Sequence, residues 1–246
     1  MTTPEPQEAL TLTDHLTELR DRLVRSLWAI SIASIAAWFF KEQIFVFLSR
    51  PIEEGLREGM LVYTGPVDMF VVYLKLAIVT GIALSSPVWL YQIWGFVAPG
   101  LYAHEKKYSA AFVISGSLLF LIGVSFAYYL VLPTGLKFLL DMQPDPATSK
   151  VRAMIDITKY LSFLTTTTLV FGLAFELPLA LTLLGLMGII DQKFLREKRR
   201  FAIVILAALS AVVTPPDALS MLMLLVPLAL LYEISIIVVG LLGRGR

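Results

Sequence analysis

Two short polar segments hold the side chains best placed to recognise a soluble partner. They are His15-Leu16-Thr17-Glu18-Leu19-Arg20 and Leu101-Tyr102-Ala103-His104-Glu105-Lys106-Lys107, and they contain both histidines of the chain, His15 and His104. A carboxylate such as Glu18 or Glu105 suits a guanidinium, whose planar fork gives two parallel charge-assisted hydrogen bonds that a lysine ammonium cannot match. Both carboxylates also lie among cations, so two readings stand. Either they are neutralised locally by Arg20, Arg22, Lys106 or Lys107, or they converge on a cationic peptide whose apolar part enters a bilayer.

A third carboxylate, Glu176, stands inside a long apolar run. It lies about 22 Å from one end of that run and about 21 Å from the other at 1.5 Å per residue, which is mid-membrane. A charge there costs about 2.5–3.5 kcal/mol on insertion scales. It therefore requires a partner, a water-filled recess or protonation; the other reading is a neutral, internally hydrogen-bonded glutamic acid that only packs helices. Glu233 falls at an interface, where solvation suffices. Lys75 either snorkels to water or forms an ion pair.

Much other chemistry has no residues to support it. The chain has no cysteine, so thiolate chemistry, disulfides and cysteine-based metal sites are excluded. No His-Glu-x-x-His, Walker glycine loop or Gly-x-Ser-x-Gly elbow occurs, and neither histidine lies in an apolar run. The expectation is a non-enzyme without metal or cofactor.

The elements that must position these groups are membrane helices. The chain is 57% hydrophobic with a mean hydropathy of +0.79, and about 20 apolar residues cross the hydrocarbon layer as a helix. Six runs qualify as candidates, at 24–40, 70–97, 109–136, 161–190, 201–214 and 218–242. Alternating barrel-type patterning is absent, so the fold class is all-α, a polytopic bundle forming one domain over 1–246. The first ten residues are polar and acidic with no cleavable signal pattern, so the first run is expected to remain as an anchor.

Lysine and arginine near span ends set the orientation. Arg20, Arg22, Arg25, Lys106, Lys107, the cations of 193–200, Arg244 and Arg246 fall on one side. They outnumber Lys41, Arg50, Arg57, Lys150, Arg152 and Lys159 on the other, which predicts cytoplasmic termini.

Pro87, Pro133, Pro178 and Pro227 mark possible kinks in spans two, three, four and six. Ile44, Leu48, Ile52 and Leu56 recur every four residues and predict a helix on the outer membrane surface, bent or restarted by Pro51. A helix start is expected near Asp156, and the two long outer loops are expected to form a small cap. Span five has 14 residues, 201–214, about 21 Å of helix, and Thr214-Pro215-Pro216-Asp217 turns it tightly back. The bilayer beside that hairpin is expected to be thin.

The ordered set of motifs resembles the TatC family, the multi-spanning core of the twin-arginine protein translocase. The resemblance rests on His15-Leu16-x-Glu18-Leu19-Arg20-x-Arg22-Leu23, Ser86-Pro87-Val88, Tyr91-Gln92 and Phe96-x-x-Pro99-x-Leu101-Tyr102-x-His104-Glu105. Phe175-Glu176-x-Pro178 and Thr214-Pro215-Pro216-Asp217 complete it. It implies a cup-shaped bundle with its last two helices short, set in the bacterial cytoplasmic membrane or an equivalent energy-coupling membrane. It implies that Glu18, Phe96 and Glu105 contact the paired arginines of a folded cargo's signal peptide, with His15, Arg20 and His104 in support. It further implies that Glu176 faces the concave side, that Pro51 and Asp217 belong to the outer cap and turn, and that the last hairpin binds single-span TatA- and TatB-type subunits. Self-association in a larger complex and drive by the proton-motive force come with the resemblance. The alternatives are an ion- or proton-coupled small-solute carrier using Glu176 and Lys75, and a membrane scaffold indifferent to arginine pairs.

Overall fold

The computed structural model describes residues 12–53, 60–97, 109–142, 154–214 and 218–243. Its helices are α1 (Leu12–Trp38), α2 (Lys41–Glu53), α3 (Asp68–Leu84), α4 (Ser86–Val97), α5 (Ser109–Phe126) and α6 (Leu132–Asp141). They continue with α7 (Ile157–Ala174), α8 (Leu177–Leu186), α9 (Gln192–Glu197), α10 (Arg199–Val213) and α11 (Ala218–Gly243). Two three-residue strands, β1 (Met60–Val62) and β2 (Met154–Asp156), pair in parallel with Leu61 opposite Ile155. That ladder ties together the two loops expected to form a cap.

Three stretches are long and apolar enough to cross a membrane unaided: Ala110–Asp141, Ile157–Leu186 and Met221–Leu241. Two helix pairs pass the same test of length and composition only when taken together, each bent at a short break: Leu16–Trp38 with Lys41–Glu53 at 85° and Asp68–Leu84 with Ser86–Phe96 at 57°. Helix α10, at 15 residues, spans only about 22 Å. Helix α11 has 26 residues, so of the last two helices only α10 is short. The chain is an all-α polytopic membrane protein. Trp28, Ile32, Ile35, Val204, Ile205 and Val212 remain exposed on its flanks, as lipid-facing residues do.

Proline explains most of the breaks. Pro87 leaves the carbonyl of Ala83 without its helical donor, and the α3–α4 bend falls at Ser85, where the hydroxyl of Ser85 donates to the Gly81 carbonyl at 2.7 Å and the indole N–H of Trp89 to that of Ile82 at 3.0 Å. Pro133 is absorbed by a π turn over Ala127–Val131, a common accommodation inside long helices. Pro178 lies in the first turn of α8, just beyond the break at Phe175 and Glu176. Pro227 leaves α11 unbroken.

Pro51 neither ends nor restarts α2, which runs through it. The carbonyl of Phe47, four residues earlier, accepts from the hydroxyl of Tyr128 instead, and the Phe47 and Tyr128 rings stack with centroids 4.6 Å apart. The Ile44–Leu48–Ile52 stripe packs on protein rather than lying on lipid: Ile52 is buried with Val72, Leu76, Leu132, Leu136 and Tyr160, with Ile44 and Leu48 against them. Leu56 lies outside the described residues. Asp156 caps α7 as its sequence suggests, accepting from the backbone N–H of Thr158 at 2.8 Å and of Lys159 at 3.3 Å.

Small residues bring helices close where side chains would hold them apart. A β-carbon at Gly81 would lie 2.6 Å from the backbone nitrogen of Ser34, joining α3 to α1. One at Gly123 would lie 2.5 Å from the carbonyl oxygen of Phe171, joining α5 to α7. The largest core, built on Phe171, Leu224, Leu228 and Ile236, packs α7 with α11.

Candidate functional site

The start of α1 and the finish of α4 meet at one end of the bundle. Four residues apart on one face of α1, Glu18 and Arg22 form an ion pair: Arg22 Nε and Nη2 both donate to Glu18 Oε1, at 2.9 and 2.6 Å. Their side chains are only 22% and 28% exposed, which separates the pair from a freely solvated one. Arg22 reaches α4 at Gly95, where a β-carbon would stand 2.1 Å from Nη1 and 2.7 Å from Cζ. Half-buried Phe96 is the next residue. Glu18 and the Phe96 end of α4 are thus joined by a guanidinium and a glycine.

Arg20 stands apart from this contact. It is exposed and donates to Asp21 Oδ1 from Nε at 3.1 Å and from Nη2 at 2.9 Å. His15 lies in α1. His104, Glu105 and Asp217 lie outside the described residues, and Pro51 is the half-buried residue of α2 discussed above.

Trp94, the residue before Gly95 on α4, belongs to an aromatic layer. Trp94 and Phe112 have ring centroids 4.2 Å apart, and Trp94 and Leu183 are buried with Val113 and Met187 around them. One turn further along α5 lies Gly116, where an added β-carbon would meet Glu176 Oε2 at 3.2 Å, Leu179 at 3.1 Å and Leu90 at 3.4 Å. Glu176 occupies the α7–α8 break; its backbone N–H donates to Leu173 and its carbonyl accepts from Ala180. Its Oε1 is buried without a hydrogen-bond partner among the described residues. The internally hydrogen-bonded alternative therefore finds no partner for this oxygen among the described residues.

Sequence reasoning passed over Arg22 as the specific partner of Glu18, and over Gly95 altogether. The first was legible from spacing, because residues four apart share a helix face while Arg20, two away, does not. The second needed the tertiary contact. Glu233 is also more than solvated: Arg199 forks onto it, Nε to Oε1 at 2.7 Å and Nη2 to Oε2 at 2.8 Å. Lys75 donates to the hydroxyl of Ser162 at 2.9 Å.

Comparison with known proteins decides the family. Residues 14–227 match the model of TatC, described as Sec-independent protein translocase protein. The chain belongs to the TatC family. It is 40% identical over 241 residues to the Sec-independent protein translocase protein TatC of Desulforapulum autotrophicum, covering 98% of this chain and 88% of that one. It is 36% identical over 237 residues to TatC of Escherichia coli, covering 96% and 90%. A crystal structure of the twin-arginine translocase receptor TatC superposes with a TM-score of 0.85 at 36% identity, covering 94% of this chain and 99% of that one. As a TatC, the chain is a multi-pass component of a protein translocase. The small-solute carrier built on Glu176 gains no support from these relatives.

Proposed function

We propose that this TatC binds the paired arginines of signal peptides at the end of the bundle where α1 begins and α4 finishes, and that this end faces the cytoplasm. The meeting of Glu18 with Gly95 across the Arg22 guanidinium carries the reading: an arginine placed there finds a carboxylate and a glycine notch, with Phe96 the next residue of α4. Glu105 follows in the segment after α4 and supplies the second carboxylate, with His15, His104 and Arg20 setting the surrounding charge. Single-span TatA- and TatB-type subunits bind along the bundle, with short α10 as their contact, and the proton-motive force drives export across the cytoplasmic membrane.

Two charge-assisted pairs contribute about 3–6 kcal/mol at roughly 1.5–3 each, whereas micromolar affinity needs about 8 kcal/mol. The apolar part of the signal must therefore bind as well. The test is the affinity of the chain in lipid nanodiscs for a labelled signal peptide carrying Arg-Arg or Lys-Lys, using the parent and Glu105→Gln. A preference for Arg-Arg that Glu105→Gln abolishes is expected; equal binding of both peptides by the parent would overturn the reading.

A further inference from the structure

The guanidinium seat between α1 and α4 is already filled. Arg22 places Nε and Nη2 on Glu18 Oε1, and its Nη1 and Cζ occupy the space in which any side chain at position 95 would begin. These are contacts an incoming arginine would seek: a carboxylate to accept a fork and a backbone surface left open by glycine. An ordinary helix-surface pair needs only the first. With the two side chains 22% and 28% exposed, the guanidinium is held in a partly desolvated notch where its pairing is screened less than at a free surface.

We propose that Arg22 is an intramolecular stand-in for one arginine of the signal peptide, held on Glu18 and against Gly95, and that peptide binding displaces it. The proposal rests on the signal-peptide reading above and adds to it the resident competitor. Displacement is physically accessible. The pair is a side-chain contact within one helix, so breaking it leaves the helical backbone bonds of α1 intact. Leu19, Arg20 and Leu23 on the same segment are exposed, so a released Arg22 reaches water.

The exchange is selective. An arginine that evicts Arg22 regains the same fork and the same notch. A lysine brings a compact, strongly hydrated charge that cannot pair through two parallel N–H groups or fill a planar slot. Lysine-containing segments therefore lose more on displacing Arg22 than they recover. Arg22 sets a threshold that a cation must exceed to engage Glu18.

The test uses the full chain in lipid nanodiscs and labelled Arg-Arg and Lys-Lys signal peptides. Arg22→Gln removes the competitor and is expected to tighten Arg-Arg binding by at least about three- to fivefold, the upper range for a fully exposed ion pair and so a lower bound for this partly desolvated one. Arg22→Lys, which keeps a cation on the same helix face, is expected to give a smaller gain of the same sign. Should Arg22→Gln fail to fold, Arg22→Lys carries the test. Adding Glu18→Gln to Arg22→Gln should abolish the gain. In the Arg22→Gln background, where no resident guanidinium has to leave, Gly95→Ala puts a β-carbon into the seat and should reverse the gain in Arg-Arg binding. If the parent prefers Arg-Arg while Arg22→Gln and Arg22→Lys bind it no better than the parent, Arg22 is a fixed part of the site and the proposal fails. An Arg22→Gln, Gly95→Ala double variant that keeps the full gain overturns the notch. A parent that does not distinguish the peptides overturns the receptor reading, and the subsite with it.

Discussion

Gly123→Ala is expected to destabilise the bundle by forcing α5 away from α7 next to the break that holds Glu176. A β-carbon at position 123 would lie 2.5 Å from the carbonyl oxygen of Phe171, 3.0 Å from its carbonyl carbon and 2.9 Å from Cγ of Phe175. Ordinary non-bonded contacts settle at about 3.5–4.0 Å, so the crossing must open by roughly 1 Å. Two of the three obstructing atoms are backbone and cannot rotate aside. Overpacking of this kind costs about 1–3 kcal/mol, which lowers the folded-to-unfolded ratio by roughly five- to 150-fold. Phe175 is displaced along with Phe171, so the position of Glu176 shifts too. Gly135→Ala is the control, because a β-carbon there meets nothing within 4 Å and alanine is about 1 kcal/mol better than glycine in a helix. Unfolding in mixed micelles of rising SDS fraction, followed by tertiary fluorescence and helicity, measures both. Equal destabilisation by the two substitutions, or a Gly123→Ala variant as stable as the parent, would refute the close-approach account.

Three further outcomes follow from other parts of the molecule. Shortening the apolar segment of a signal peptide while keeping both arginines should weaken its binding in nanodiscs, and unchanged affinity would show that the charged end suffices. If Glu176 takes part in proton coupling, Glu176→Gln should abolish transport into energised vesicles while leaving peptide affinity intact, whereas wild-type transport removes it from any such role. Asp156→Ala deletes the cap that accepts from Thr158 and Lys159 at 2.8 and 3.3 Å. It should cost about 1 kcal/mol in the same SDS titration, and a loss below a few tenths would mean that the β1–β2 ladder holds the start of α7 by itself.

Local physics was readable in advance where one element decides the outcome. Apolar runs longer than a bilayer requires can only be helices, and the Asp156 cap depends on three consecutive residues. The breaks at Pro87 and Pro178 follow from a missing donor, yet Pro227 carries the same defect and α11 stays continuous, because neighbours decide whether a helix with a lost bond separates. Strands β1 and β2 have three residues each, too few to show a period, and exist only because each completes the other. The stripe on α2 was correctly periodic, but periodicity reports an apolar face and not whether lipid or protein covers it; the Phe47 carbonyl freed by Pro51 finds its donor 81 residues away. At the candidate site the spacing of Glu18 and Arg22 was legible, while the value of Gly95 arises only where a second helix supplies the guanidinium.

The shortness of α10 bears on how the translocase acts. About 22 Å of helix against a hydrocarbon layer of about 30 Å leaves roughly 8 Å to be absorbed by thinning or tilt, at fractions of a kcal/mol per Å. The lipid strain beside α10 is then on the order of a few kcal/mol, the same scale as the roughly 2–5 kcal/mol separating two arginine pairs from micromolar affinity. A helix or apolar segment placed against α10 recovers part of that strain, so the flank that is unfavourable to lipid is favourable to a partner span or to the apolar stretch of a signal. In the proposed function, recognition of the arginines at one end and relief of mismatch along α10 are separate contributions on separate surfaces. They should therefore add in affinity measurements: a bilayer of shorter lipids should weaken binding of peptides with long apolar segments while leaving the ratio of Arg-Arg to Lys-Lys affinity unchanged. If that ratio changes with lipid length, the arginine seat and the α10 flank are coupled through the bundle, and the separation drawn here is wrong.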